Sequence, residues 1–154
     1  MIIQAKQLAQ LRKSQSSIVH NFYDKKSKAL ILDNVSLALP SRYEALLALL
    51  TSQDEKFQSK LKTLGFWNCN VTNHKFTEIL SVFTEQLQNL PKFSFQGLEI
   101  SDNVNILKKT AIGSICNLFQ SRDTKPKNLS LLIQKCTVSA KNVALLMKLL
   151  AISK

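Results

Sequence analysis

Turn-forming residues are scarce in this chain. Its 154 residues include three Gly and three Pro. A β-sandwich or barrel needs more turn chemistry than that, so helices are favoured, and three glycines could hardly build a phosphate-cradling loop. Cysteine is also sparse, at three residues. An odd count in a chain with no secretion signal reads as reduced thiols in a cytosolic compartment rather than a disulfide framework. The opening "MIIQAKQLAQLRKSQ" has no apolar run long enough for a signal peptide, and no stretch approaches the length of a membrane span. The Asn-x-Ser/Thr triplets at Asn34, Asn70 and Asn128 are therefore read as coincidence. Acidic residues are few, 10 Asp+Glu against 21 Lys+Arg, for a formal net charge of +11. That balance either keeps a lysine-rich chain soluble or points to an acidic partner: nucleic acid, an anionic membrane or an acidic protein face.

Catalytic groups are missing as well. His20 and His74 stand apart in the sequence. Cys69 lies near His74, but no second pair of ligands follows at zinc-site spacing. The carboxylates are scattered and form no evident acid–base pair. The expectation is a non-enzymatic protein with no cofactor and no metal. A chain 45% hydrophobic and 20% charged nevertheless folds as an ordinary domain with a sizeable core.

What the chain does contain is a repeated spacing. "LKTLGFWNCNV" reduces to Leu61, Leu64, Phe66, Cys69 and Val71. The same offsets pick out Leu90, Phe93, Phe95, Leu98 and Ile100 in "LPKFSFQGLEI". In "NLSLLIQKCTV" they give Asn128, Leu131, Ile133, Cys136 and Val138, and in "SKALILDNVSL" Ser27, Leu30, Leu32, Val35 and Leu37. Of these positions 18 of 20 are apolar, where a 45% hydrophobic chain would give about nine by chance. In this register the anchors Val35, Cys69, Leu98 and Cys136 lie 34, 29 and 38 residues apart.

Each copy precedes a helical pattern. Ser41 and Glu44 behind Pro40 read as a capping box. Phe76, Ile79, Leu80, Phe83 and Leu87 share one helical face. Asp102 and Asn103 read as caps of a third helix, in which Ile112, Cys116 and Phe119 form a core stripe. "SAKNVALLMKLLAISK" forms a fourth. The unit is thus a short strand plus a helix. This pattern resembles the leucine-rich repeat family, in its ribonuclease-inhibitor-like subclass, over about residues 27–154. Two departures stand out: Ser27 and Asn128 replace a leading apolar residue, and Val35 and Leu98 stand where Asn or Cys is usual.

The resemblance implies an α/β solenoid of about four strand–helix repeats, with a parallel concave sheet and convex helices. Residues 1–26, with Leu8, Leu11, Ile18, Val19 and Phe22 at helical spacing, would cap the array, and residues 27–154 would form it. The last helix (Val143, Leu145, Leu146, Met147, Leu149, Leu150, Ile152) carries little polar surface besides Lys141 and Lys148. It invites cover by a dimer mate, a partner or further repeats.

Strand alternation then exposes Ala29, Ile31 and Asp33; Thr63, Gly65 and Trp67; Lys92, Ser94 and Gln96; and Ser130, Leu132 and Gln134 on the concave face. The family implies protein binding there, with Trp67 as the anchor. Lysines collect instead ahead of the strands, as Lys25, Lys26, Lys28, Lys60, Lys62, Arg122, Lys125 and Lys127. They would line a basic rim for nucleic acid or anionic lipid, or simply answer helix C-terminal dipoles. The expected partner is an acidic protein. Family analogy offers two settings, a fragment of a larger sensor or a bacterial effector in a host cytosol, and the start at Met1 with a lysine- and asparagine-rich composition leans to the second.

Overall fold

The computed structural model describes residues 5–51, 60–89, 94–103, 106–120 and 130–152. Among them are five helices and five strands. The helices are α1 (Ala5–Phe22), α2 (Pro40–Leu50), α3 (Asn73–Asn89), α4 (Lys109–Gln120) and α5 (Ala140–Ile152). The strands are β1 (Tyr23–Asp24), β2 (Ala29–Asp33), β3 (Thr63–Trp67), β4 (Gly97–Ser101) and β5 (Ser130–Gln134). They form one sheet whose spatial order is the chain order, β1-β2-β3-β4-β5. β1 pairs antiparallel with β2, and every later pairing is parallel.

Parallel neighbours need a crossover, and here each crossover includes a helix. Each of these helices packs on the next: α2 on α3, α3 on α4, α4 on α5. α1 lies against α2 and β2, where Ile18 enters the core. The core lies between the sheet and the helices. Leu30, Leu32, Leu64, Phe66, Leu98 and Ile100 point into it from the strands, all fully buried. They meet Leu46 and Leu50 of α2, Phe76, Ile79, Leu80 and Phe83 of α3, and Ala111 and Ile115 of α4. Phe66 and Phe76 meet edge to face at 5.2 Å, and Phe83 and Phe95 at 5.1 Å. The predicted face of α3 is therefore its buried face, and Cys116 is core as expected.

The register corrects the sequence reading in one unit. Leu98 pairs with Leu64 and Ile100 with Phe66. Leu98 therefore occupies the second apolar position of its unit, and the anchor equivalent to Cys69 is Asn103, five residues later. The anchors are Val35, Cys69, Asn103 and Cys136, at spacings of 34, 34 and 33 residues. "LPKFSFQGLEI" misled because Phe93 and Phe95 mimic the apolar alternation one strand too early. Leu90 and Phe93, like Asn128, lie outside the described residues.

Helix starts also differ from expectation. α2 begins at Pro40 behind Leu39, which gives no side-chain cap, so Ser41 lies within the first turn and Glu44 beyond it. Proline at the first helical position removes one orphan N–H by itself, and no capping box is needed for it. Asp102 and Asn103 are not caps, since α4 starts at Lys109. Its first turn is instead supported by the neighbouring helix: Lys108 N–H donates to Asn73 Oδ1 at 3.2 Å, and Asn73 Nδ2 donates to Thr110 Oγ1 at 2.6 Å. Thr72 caps α3 through Lys75 N–H at 3.2 Å, and Ser139 caps α5 through Asn142 N–H at 3.1 Å.

The far end of the sheet is less covered. Leu131 and Ile133 of β5 are half-buried where their counterparts are fully buried. On α5, Val143 and Met147 are 41% and 67% exposed.

Gly113 sits in the middle of α4, with nothing within 4 Å of a Cβ built on it and no positive φ. Gly113→Ala should therefore raise stability by about 0.5–1 kcal/mol, because the helix loses only the entropy penalty of glycine. Urea unfolding measures this. An unchanged or lower midpoint would contradict the open environment assigned to this helix position.

Candidate partner-binding face

The turn after each strand repeats one device. The residue just past the strand end takes a left-handed conformation: Asn34 (φ 61), Asn68 (φ 51), Asp102 (φ 54) and Lys135 (φ 52). Asn and Asp tolerate this better than other non-glycine residues, which accounts for three of the four. Each of the first three donates its backbone N–H to the next strand's last carbonyl. Asn34 bonds Trp67 O at 2.8 Å, Asn68 bonds Ser101 O at 2.8 Å, and Asp102 bonds Gln134 O at 3.1 Å. Asn68 Nδ2 also donates to Asn34 Oδ1 at 2.9 Å.

The anchor then turns inward and ties its unit to the preceding strand. Cys69 Sγ donates to Leu32 O at 3.1 Å, Asn103 Nδ2 to Phe66 O at 2.6 Å, and Cys136 Sγ to Ile100 O at 3.5 Å. Each also reaches its own strand end: Trp67 O at 3.8 Å, Ser101 O at 2.9 Å and Gln134 O at 3.1 Å. Asn103 Oδ1 accepts Cys69 N–H at 2.9 Å. Val35 carries no such donor, and β2 has no parallel strand before it to receive one.

This framework holds the other sheet face in rows, and no helix among the described residues covers it. The rows are Ala29–Thr63–Gly97–Ser130, Ile31–Gly65–Glu99–Leu132 and Asp33–Trp67–Ser101–Gln134. The expected residues Ile31, Asp33, Thr63, Trp67, Leu132 and Gln134 are all in them. Ser94 and Gln96 are not: they precede β4, and Lys92 lies outside the described residues. Gly97, Glu99 and Ser101 take the three places, because the strand lies five residues further along than the sequence pattern suggested.

Trp67 is half-buried and lies over Gly65. A Cβ on Gly65 would come within 3.5 Å of the indole Nε1 and 2.5 Å of Ile31 Cδ1. The missing side chain thus lets Ile31 and Trp67 close over the strand. The indole N–H is buried with no hydrogen-bond partner among the described residues. Two clefts lie beside α1: one of about 480 Å³ includes Lys13, Ser17, Asn34 and Arg42, and another of about 490 Å³ lies along His20, Tyr23 and Leu49. A flat face with one aromatic anchor suits a macromolecular surface better than a small molecule.

The basic rim is assembled in part. Lys62 N–H donates to Lys28 O at 2.8 Å, so these two residues start neighbouring strands side by side. Lys25 and Lys26 precede β2 in the turn, and Lys60 precedes β3. The next residue in that row is Gln96, which donates its N–H to Lys62 O at 2.8 Å. Arg122, Lys125 and Lys127 lie outside the described residues. Asp24 is occupied locally, accepting from Ser27 Oγ at 2.7 Å and Lys26 N–H at 3.1 Å; these bonds hold its carboxyl below the usual range.

Sequence reasoning missed Glu99, and read Asn103 as a helix cap rather than as the anchor of its unit. A signal for both was present: Phe95-x-x-Leu98-x-Ile100-x-x-Asn103 repeats the spacing of Leu61-x-x-Leu64-x-Phe66-x-x-Cys69, at a constant distance of 34 residues. Among the described residues no group of His, Cys, Asp and Glu could hold a metal ion, and no helix is long and apolar enough to cross a membrane. Comparison with protein-family models, with curated proteins and with solved structures finds no match for the chain.

The three thiols are free, and burial raises the pKa of each. For Cys69 burial pushes it up to about 12, with a smaller push from the Asp33 carboxylate. At pH 8 the native protein should therefore leave Cys69 and Cys116 unlabelled by iodoacetamide, and denaturant should release both. The folded state keeps the Cys69 proton between about pH 9 and pH 12, where the unfolded chain gives it up. Stability should fall as pH rises through that window. Rapid native labelling of Cys69 at pH 8 would contradict its placement.

Proposed function

We propose that this chain is a leucine-rich repeat scaffold that binds another protein through the helix-free face of its sheet, with Trp67 as the central contact. Catalysis has no part in this reading. The repeat assignment draws support from the strand order, from the 34-, 34- and 33-residue spacing of the anchors, and from the repeated donation to the preceding strand. The observation that carries the functional reading is Trp67 lying across Gly65, beside Ile31, on an uncovered sheet face. A large rigid side chain held in place contributes contact area at low entropy cost.

A second reading rests on Lys28 and Lys62 standing side by side at the strand starts. With Lys25, Lys26 and Lys60 they form a short basic edge, suited to the phosphates of a nucleic acid or an anionic lipid. Phosphate-driven binding weakens steeply with salt, whereas contact centred on an indole does not.

A pull-down from cell lysate at moderate salt separates the two. It compares the native chain, Trp67→Arg and the triple variant Lys25→Glu, Lys60→Glu, Lys62→Glu, each first checked for folding. A protein captured by the native chain and the triple variant, and lost with Trp67→Arg, is the expected result. If Trp67→Arg changes nothing while the triple variant sheds nucleic acid, the working surface is the rim.

A further inference from the structure

We propose that the sheet face takes a cationic segment of its partner, a stretch that presents Lys or Arg beside an apolar side chain. The inference rests on the reading that a protein docks on this face, and it specifies the chemistry of that protein. Its basis is the corrected register. With Lys92 on the face, the charges would cancel against Asp33. With Glu99 there instead, the twelve residues of the three rows carry two charges, both negative, Asp33 and Glu99. A chain of net charge +11 thus shows an acidic strip where its sheet is open.

Neither carboxylate faces a cation within these rows. Glu99 lies on β4 between Gly65, which has no side chain, and Leu132, which is apolar. It is half-buried and has no ion pair among the described residues. Asp33 is exposed at the end of β2, directly across from Trp67. The sign persists toward the strand ends, where the turn adds Asp102 next to Asn68 and Asn34, until Lys135 at the outer edge. The lysines Lys28 and Lys62 stand at the opposite end of the strands. An apolar or acidic partner laid over Glu99 would bury a charge with nothing to pair it, which is strongly unfavourable. A Lys or Arg there pairs the carboxylate through its head, and lays its aliphatic stem along the neighbouring Leu132. The Trp67 ring adds a surface that attracts cations.

Trp67 is the single tryptophan of the chain, so its indole N–H gives one identifiable resonance in a ¹H–¹⁵N spectrum. The experiment titrates the ¹⁵N-labelled chain, at about 150 mM salt, with two amidated hexapeptides. One alternates lysine with leucine, the other glutamate with leucine. The same titrations are run on Glu99→Lys and Glu99→Gln, with the rest of each spectrum reporting that the fold is kept. The lysine peptide should shift the Trp67 indole resonance saturably. Its Kd should rise about tenfold in Glu99→Lys and less in Glu99→Gln, since like charges brought together oppose binding. A shift caused by the glutamate peptide alone, or a lysine-peptide Kd untouched by Glu99→Lys, overturns the inference and leaves Trp67 as the contact. If neither peptide moves the resonance, the inference fails together with the reading of this face as a docking surface.

Discussion

The structure depends on one recurring contact. A donor on the turn after each of β3, β4 and β5 reaches back to a carbonyl of the strand before it. Cys69 serves Leu32, Asn103 serves Phe66 and Cys136 serves Ile100. Those carbonyls lie at the same register position of successive strands, inside the fold, where an unpaired acceptor would cost about 1–3 kcal/mol. The contact also explains which residue types fit. At Cys69 and Asn103 the site is buried, so a thiol or a short amide fits it better than a charged group. Val35 is tolerated because no parallel strand precedes β2.

Everything on the open face follows from that constraint. Once the turn fixes each strand against the last, the side chains fall into rows, and the rows decide which residues can act together. Trp67 gains its position from the glycine beside it. Glu99 gains its isolation from the same glycine on one side and a leucine on the other. The turn residues Asn34, Asn68 and Asp102 extend the sheet by one hydrogen bond each, which stiffens the strand ends nearest Asp33 and Trp67.

Much of this was legible in the sequence, and the exceptions have physical causes. Strand-plus-helix units, the buried face of α3 and the core placement of Cys69 and Cys116 all follow from apolar spacing. That spacing could not separate two registers around residues 90–103, because Phe93 and Phe95 supply the same alternation as Leu98 and Ile100. Hydrophobicity scores the two alike. What distinguishes them is a polar residue, Asn103, whose value lies in hydrogen bonds that no apolar count registers. The error propagated to the face, where Lys92, Ser94 and Gln96 were expected in the places that Gly97, Glu99 and Ser101 hold. Helix starts were misjudged for a related reason. Capping groups were sought next to each helix in sequence, whereas α4 is met by Asn73 of the preceding helix.

The donor ladder is tested most directly at Asn103, by equilibrium urea unfolding of Asn103→Cys and Asn103→Val beside the native chain. A thiol can repeat the donation that Cys69 and Cys136 make but is a poor acceptor for Cys69 N–H, so Asn103→Cys should lose about 1–2 kcal/mol. Asn103→Val removes the side-chain donor to Phe66 O and leaves Cys69 N–H without its acceptor, while Ser101 O keeps the Asn68 N–H, and it should lose about 2–4 kcal/mol. Equal stability of the two variants, or a valine variant as stable as the native chain, would contradict the claim that this donor ladder holds the units together.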